Sequence, residues 1–213
     1  MKSRCSFTTC CSKSQETKAN IRIIQWNRIF LNDPRTDVNK GNKYSYTPLM
    51  YSCDRYVSEE VGVQLISLLL KNSQIEINKR DSIGYTALHI ACWYGTSKCA
   101  KTLIEDDRID INVTGNDDET PLYRAVSRSQ LNTVKVLLSS SDIDPNILSK
   151  GKTPLHRAHE KGDKEIMREL LKDKRTKADI PGNDGKTFIE LETDKEILQY
   201  AEEVEYYEDF LSM

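Results

Sequence analysis

The residues of this 213-residue chain that could take part in catalysis or metal binding are three histidines and six cysteines. His156 and His159 are three positions apart, a spacing that two ligands of one metal ion can share. No cluster of carboxylates or cysteines in the sequence completes such a site, so we expect no bound metal. Cys92 and Cys99 have no base placed by the sequence to activate them, and we expect both to pack as small hydrophobic residues.

Longer catalytic and targeting motifs are also missing from the sequence. It contains no C-x-x-C pair, no glycine-rich phosphate loop, and neither G-x-S-x-G nor H-E-x-x-H. The polar start and the lack of an apolar run of about 18 residues argue against a secretory signal and a membrane span. We therefore predict a non-enzymatic protein that needs no cofactor, keeps its thiols reduced, and resides in the cytoplasm, with the nucleus as the alternative.

The charge of the chain is small overall but unevenly distributed. The formal net charge is −2, which argues against a dedicated nucleic-acid-binding protein. Residues 190–213 contain nine acidic residues and one lysine, so the rest of the chain is mildly basic. The acidic residues near the end either keep an exposed helix soluble, which we favour, or recruit a basic partner. They are Glu202, Glu203, Glu205, Glu208 and Asp209.

The elements that must position any functional residue are internal repeats. A threonine followed by a short apolar segment recurs five times, at spacings of 39, 34, 33 and 34 residues. Each of the first four copies is preceded by an acidic residue, one intervening residue and an asparagine, and leucine-rich runs separate the copies. The five segments begin at Thr47, Thr86, Thr120, Thr153 and Thr187.

Each repeated landmark has a mechanical role in a helix pair. Threonine is a good N-cap, and proline directly after it occupies the first helical position without losing a hydrogen bond. Gly95 and Gly162 follow their threonines by nine residues, where a helix must end in a left-handed residue. A second amphipathic helix follows, and polar turns lead to the next unit. One such pair cannot bury its own apolar faces, so the units must stack.

This pattern resembles the ankyrin-repeat family. The resemblance implies an all-α, ankyrin-repeat solenoid of paired antiparallel helices joined by short hairpin-like loops. We predict one such domain over residues 20–213, with repeats starting near 47, 86, 120 and 153. Residues 20–39 are predicted to form an N-terminal cap, and residues 187–213 a C-terminal cap whose last helix starts with a capping box at Thr193. Residues 1–19, which include Cys5, Cys10 and Cys11, are predicted to be a disordered polar tail.

Three departures from the repeat pattern carry further predictions. Extra residues between Asp54 and Glu60 should lengthen the connection between the helices of the first unit. Ser129 occupies a position where glycine is expected, so the turn there should be either more strained or differently shaped. One residue is missing around Ser149 and Gly151, so that hairpin should be shorter than the others.

The resemblance also implies where a partner would bind. In the family, partners contact the hairpin tips and the exposed side of the first helix of each pair, whereas a histidine at the position of His89 and His156 ties neighbouring units together. The predicted partner-binding residues are Tyr44, Tyr46, Ile83, Tyr85, Trp93, Tyr94, Asp117, Glu119 and Arg128. The alternative for each aromatic residue is packing in the groove between two units.

The function that these features favour is protein binding by a monomeric adaptor, scaffold or inhibitor. Tyrosine, tryptophan and arginine are the residue types enriched at binding hot spots. Five of the predicted aromatic residues and Ile83 gather on two adjacent units, while the next two units are polar and charged. The alternative is a regulatory or substrate-recruiting subunit of an enzyme complex, which would use the acidic C-terminal helix.

Overall fold

Nine helices and a further helical segment over residues 195–201 make up the helical structure of residues 37–201, the part of the chain that the computed structural model describes. In chain order the nine are α1 (Pro48–Ser52), α2 (Glu59–Leu70), α3 (Ala87–Tyr94), α4 (Ser97–Ile104), α5 (Pro121–Ser127), α6 (Leu131–Leu138), α7 (Pro154–Glu160), α8 (Lys164–Leu171) and α9 (Phe188–Leu191). In the described range, β-structure is limited to one isolated bridge between Ser149 and Lys152.

The helices form two layers. The first helices of the pairs, α1, α3, α5, α7 and α9, each pack against the next one in the series, and so do the second helices α2, α4, α6 and α8. Within each of the first four repeats the two helices also contact one another. This arrangement confirms the predicted all-α ankyrin-repeat solenoid.

Threonine starts every first helix, as the sequence predicts. Thr47, Thr86, Thr120, Thr153 and Thr187 are the N-cap residues of α1, α3, α5, α7 and α9. The Oγ1 of Thr120, for example, accepts a hydrogen bond from the backbone N–H of Tyr123 at 3.1 Å. Proline follows the cap in α1, α5 and α7, where its missing N–H costs nothing.

A ladder of asparagine amides joins consecutive repeats along the loops. Each Nδ2 donates to a backbone carbonyl of the next repeat, while the Oδ1 accepts from a nearby backbone N–H of that repeat. For Asn112 the partners are the carbonyl of Asp142 at 2.7 Å and the N–H of Asp144 at 2.9 Å. The same pair of bonds is made by Asn39, Asn78 and Asn146. The sequence identified these residues only as turn formers, but they also connect repeats.

Two buried histidines make a second set of bonds between repeats. The Nε2 of His89 lies 3.0 Å from the carbonyl oxygen of Glu119, and the Nε2 of His156 lies 3.1 Å from that of Lys186. Because a carbonyl only accepts, Nε2 carries the proton, and Nδ1 of His89 accepts from Thr86. The predicted structural role of these two histidines is confirmed.

The three predicted departures from the repeat pattern are all present. Residues 53–58 connect α1 to α2, whereas only Gly95 and Thr96 separate α3 from α4. Ser129 has a φ of 54°, in the left-handed region that side chains disfavour. Ser149 and Lys152 pair directly across a turn of only two residues, so this hairpin is the short one.

The core is apolar, and it contains the three described cysteines. Cys53, Cys92 and Cys99 are buried free thiols, as predicted for Cys92 and Cys99. Burial raises the pKa of Cys92 well above its usual range and that of Cys99 to about 11. All three residues therefore pack as small hydrophobic side chains. None of the described helices is both long enough and apolar enough to cross a bilayer.

The ends of the predicted domain are only partly within the described range. The predicted tail over residues 1–19, most of the N-terminal cap over residues 20–39, and residues 202–213 lie outside it. Of the C-terminal cap, α9 and the segment 195–201 are described, and Ile197 and Ala201 of that segment are buried. The capping box at Thr193 is wrong: the helix begins after Asp194, whose carboxylate accepts from the N–H of Glu196 at 3.0 Å.

The left-handed turns give a reciprocal test of stability. Ser129→Gly should stabilise the protein by about 1 kcal/mol, because glycine adopts this backbone conformation without a Cβ clash. Gly162→Ser should destabilise it by a similar amount, because Gly162 has a φ of 63°. No atom lies within 4 Å of an added Cβ, so the loss would come from the backbone conformation and not from a steric clash. Urea unfolding of both variants measures the two changes. A stability loss in Ser129→Gly would contradict the assignment of strain at this turn.

The buried imidazole of His89 should make stability depend on pH. Burial lowers the pKa of His89 to about 4, from 6.5 in water. The unfolded chain therefore binds the proton more tightly, and stability that is fully present above about pH 6.5 is lost as the pH falls towards 4, up to roughly 3 kcal/mol. Unfolding free energies of the wild type and of His89→Gln between these pH values measure the effect. Parallel pH profiles for the two proteins would contradict it.

Candidate protein-binding surface

The tips of the first two hairpins carry exposed apolar side chains on ordered turns. Tyr44 is 57% exposed and Ile83 is 56% exposed. The Oδ1 of Asn42 accepts from the N–H groups of Tyr44 and Tyr46, and that of Asp81 accepts from Ile83 and Tyr85. The N–H of Ser82 also donates to the carbonyl of Tyr44 at 2.9 Å, which joins the two hairpins. The two apolar tips are therefore held on fixed backbones.

Below the first tip, two tyrosines are fixed by hydrogen bonds of their hydroxyl groups. Tyr46 donates to the Oδ2 of Asp54 at 3.0 Å, and Tyr51 accepts from the Nδ2 of Asn42 at 2.8 Å. The two rings meet edge to face, with centroids 4.7 Å apart. Burial and then the charge of Asp54 raise the pKa of Tyr46, so its hydroxyl stays protonated. Tyr51 is exposed, whereas Tyr46 is half-buried.

The long connection of the first repeat adds an arginine and a tyrosine to the same surface. Tyr56 is 80% exposed, and its hydroxyl accepts from an Nη of Arg55 at 2.9 Å. The Arg55 guanidinium lies 5.0 Å from the centroid of the Tyr56 ring and 5.7 Å from that of Tyr94 in the next repeat. Arg55 therefore connects the inserted loop to the end of α3.

The centre of the surface is a stack of arginine and aromatic side chains from two repeats. The guanidinium of Arg124 lies 3.6 Å from the ring centroid of Tyr85 and 4.2 Å from that of Trp93. Arg128 lies 4.1 Å from the Trp93 ring as well. Cation–π attraction is strongest when the partners are desolvated, and Arg124 is buried whereas Arg128 is exposed. Only Arg124 is therefore part of the core.

Carboxylates of the third repeat balance the buried arginine. Glu119 accepts from Nη1 of Arg124 at 3.1 Å and from Nζ of Lys150 at 2.8 Å. The second carboxylate, Asp117, lies 3.5 Å from the same Lys150 and accepts from the hydroxyl of Tyr85 at 2.5 Å. The hydrogen bond to Glu119 raises the pKa of Lys150, so the lysine stays charged. This cluster links the second, third and fourth repeats.

The structure corrects the expected exposure of two predicted partner-binding residues. Tyr85 is only 8% exposed and Glu119 only 9%, because Arg124 of α5 covers the ring of Tyr85 and pairs with Glu119. Of the remaining predicted residues, Tyr44, Ile83 and Arg128 are exposed, and Tyr46, Trp93, Tyr94 and Asp117 are half-buried. The expected exposure is therefore wrong for Tyr85 and Glu119.

Sequence reasoning missed four residues of this surface, namely Tyr51, Tyr56, Arg124 and Lys150. Tyr56 lies in the insertion that breaks the repeat period, which was a usable signal for an exposed aromatic residue. Arg124 follows the N-cap Thr120 by four positions on a first helix, where its burial depends on Tyr85 and Trp93 of the preceding repeat. No spacing within one repeat indicates such a partner.

The pair of histidines in the fourth repeat does not form a shared site. His156 bonds to the next hairpin, whereas Nδ1 of His159 lies 3.0 Å from Oε2 of Glu192 and its ring meets Phe188 edge to face. Within residues 37–201, no group of three or more histidine, cysteine or acidic side chains is placed to hold a metal ion. His159 thus acts as a contact to the last repeat.

The sequence matches the family model for ankyrin repeats (three copies) over residues 17–115 and 108–184. These matches cover well over half of the chain, and the chain therefore belongs to the ankyrin-repeat family.

The curated relatives that match this chain are much longer proteins. The chain is 34% identical over 129 residues to neurogenic locus notch homolog protein 1 of Mus musculus, a match that covers 56% of this chain and 5% of the relative. It is 36% identical over 98 residues to SMC5-SMC6 complex localization factor protein 1 of Bos taurus, covering 44% of this chain and 9% of the relative. The chain thus spans less than a tenth of the length of these relatives.

Solved structures agree on the fold. The ankyrin repeat domain of Bcl-3, a member of the IkappaB protein family, matches with a TM-score of 0.74 and 19% identity, covering 88% of this chain and 81% of the other. The ankyrin repeat protein EF0377 matches with a TM-score of 0.70 and 17% identity, covering 92% and 98%. At such low identity these matches establish the fold alone.

The two arginines that share the Trp93 ring should differ sharply in their effect on stability. Arg124→Ala should cost about 3 kcal/mol, because it leaves a buried Glu119 with one partner fewer and removes the cover of Tyr85. Arg128→Ala should cost less than about 1 kcal/mol, because an exposed cation–π contact is weak. Thermal or urea unfolding of the two variants measures both values, and equal losses would contradict the different burial of the two guanidinium groups.

Proposed function

We propose that this chain is a protein-binding module that recognises a partner through the hairpin tips and first helices of its first three repeats. Within that surface, an adaptor, scaffold or inhibitor would use the exposed apolar residues Tyr44, Tyr51, Tyr56 and Ile83 as anchors. Exposed aromatic residues beside arginines have the composition of protein interfaces. Membership of the ankyrin-repeat family supports the same general function.

The observation that carries the proposal is the inserted loop of the first repeat. The other described pairs are connected by two or three residues, so stacking does not require a connection as long as residues 53–58. The insertion nevertheless presents Tyr56, which is 80% exposed, and connects it through Arg55 to Tyr94. A large exposed apolar side chain costs solubility without aiding the fold, and binding accounts for its presence.

The surface is also organised before any partner arrives. Hydrogen bonds of their hydroxyl groups hold Tyr46, Tyr51 and Tyr56, and cation contacts hold Tyr44 and Tyr94. Binding therefore orders few additional rotamers, which lowers its entropic cost. Tyrosine suits this role because a large contact area requires only two side-chain torsions.

A role in catalysis receives no support from the described side chains. Burial raises the pKa of the Cys53, Cys92 and Cys99 thiols, so none is a thiolate nucleophile. His89 donates and accepts within the fold. The alternative of a regulatory subunit that uses the acidic C-terminal helix depends on Glu202 and the acidic residues after it, which lie outside the described range.

Replacement of the exposed anchors should abolish binding without unfolding the protein. Affinity purification of the triple variant Tyr44→Ser/Tyr56→Ser/Ile83→Ser, compared with wild type by quantitative mass spectrometry, should lose the proteins that the wild type retains. The melting temperature should stay within a few degrees, because exposed substitutions change stability by only about 0.5 kcal/mol each.

The matched control removes exposed apolar side chains elsewhere on the same solenoid. Leu148 is 46% exposed and Ile189 is 41% exposed, on the short hairpin and on α9. Leu148→Ser/Ile189→Ser should retain the wild-type set of proteins. Retention of that set by the triple variant, or an equal loss in both variants, would contradict the proposed location of the interface.

A further inference from the structure

Four carboxylates on the hairpin and first-helix surface are already engaged inside the protein. Asp54 accepts from Tyr46, and Asp117 and Glu119 share Lys150. In the fourth repeat, Glu160 pairs with both Lys152 and Arg157. These four acidic groups therefore have internal partners before anything binds.

Three cations on the same surface have no ion-pair partner among residues 37–201, and each lies on an aromatic ring. Lys43 lies 4.9 Å from the Tyr44 centroid, Arg55 lies 5.0 Å from the Tyr56 centroid, and Arg128 lies 4.1 Å from the Trp93 centroid. Lys43 and Arg55 belong to the first repeat, and Arg128 belongs to the third. By contrast, exposed lysines of the second helices, such as Lys98 and Lys101, pair with Glu60 and Glu105.

Stacking on a ring prepares a guanidinium for a carboxylate. The ring contacts the planar face of the group and restricts its rotamers, while the N–H donors lie in the plane and remain available at the edge. A carboxylate can then accept two parallel hydrogen bonds, which is the strongest pairing an arginine makes. Arg128 is free for such a pair, and Arg55 uses one Nη for the hydroxyl of Tyr56.

We propose that this surface binds an extended protein segment rich in aspartate or glutamate, whose carboxylates pair with Arg55 and Arg128. This inference builds on the proposed protein-binding function and names the chemistry of the partner. Adjacent packed helices are about 8–10 Å apart, so arginines of the first and third repeats are separated by roughly 16–20 Å. An extended chain advances about 3.3 Å per residue, so the two acidic positions lie about five or six residues apart.

Charge complementarity favours an acidic protein segment over a nucleic acid. A nucleic acid places a phosphate at every step, so it would bring negative charge close to Asp117, Glu119 and Glu160 as well as to the unpaired cations. A protein segment can place carboxylates only opposite Arg55 and Arg128 and uncharged residues between them. Trp93 and Tyr94 lie between the two arginines and offer apolar area to those residues.

The test is a binding titration of the full chain with synthetic peptides. The first peptide carries two Asp pairs about five residues apart, joined by Leu and Ser residues, and the second has Asn in place of every Asp. Fluorescence anisotropy should show binding of the first peptide at least about tenfold tighter than the second, with an affinity that falls as salt is raised. Equal affinities would overturn the proposal, and so would tighter binding of a single-stranded DNA of matched charge.

Variants then locate the contact. Arg55→Gln and Arg128→Gln should each weaken binding of the Asp peptide about tenfold, because each removes a charge-assisted hydrogen-bonded pair. The control Lys101→Gln/Lys172→Gln removes two exposed charges of the second-helix layer and should leave affinity within about twofold, since distant exposed charges are screened. Equal weakening by this control would reduce the effect to net charge and overturn the assigned site.

The outcome is separable from that of the proposed function. If the Asp peptide fails to bind while capture of cellular proteins still depends on Tyr44, Tyr56 and Ile83, the acidic partner is wrong and the binding surface stands. If the Asp peptide binds through Arg55 and Arg128, the inferred chemistry stands whichever proteins are captured.

Discussion

The stacked repeats depend on one constraint, which is that a single short helix pair cannot bury its own apolar faces. Each pair must cover the next, so the stability of the protein comes from the stacking of neighbouring pairs. The helices alone would allow neighbouring pairs to slide, and the amides of the asparagine ladder oppose this with two directional bonds per junction. His89 and His156 add one bond each at the base of a hairpin. Apolar contact thus supplies cohesion between repeats, and buried polar bonds fix their register.

The same constraint leaves one surface free to differ between repeats. Stacking uses the sides of each pair that face its neighbours, so the hairpin tips and the outer side of the first helices carry few structural demands. In the first repeat this freedom includes the insertion with Arg55 and Tyr56. In the third repeat it is used differently, because Arg124 turns inward onto Tyr85 and its charge is balanced by Glu119. Arg124, Tyr85 and Glu119 therefore belong both to the fold and to the candidate surface.

The sequence was sufficient for the fold because its signals are local. Thr120, Pro121 and the polar turn before them determine a helix start through bonds that span three or four residues. The left-handed Ser129 and the long 53–58 connection were predictable as breaks in a regular period. The surface was harder to predict, because the burial of Tyr85 and Glu119 depends on the direction of a single arginine side chain and on a lysine in the next hairpin. Neither contact follows from the repeat period.

Trp93 shows how one ring can serve both the fold and the surface. Arg124, which lies over it, is buried, and its charge is neutralised by Glu119. Arg128, which lies over the same ring at nearly the same distance, is exposed and has no acidic partner in the described part of the chain. A buried charge must be compensated within the protein, whereas an exposed charge needs no internal partner and remains available to a ligand. Burial, rather than proximity to the ring, therefore decides that the first arginine stabilises the solenoid and the second is available to a ligand.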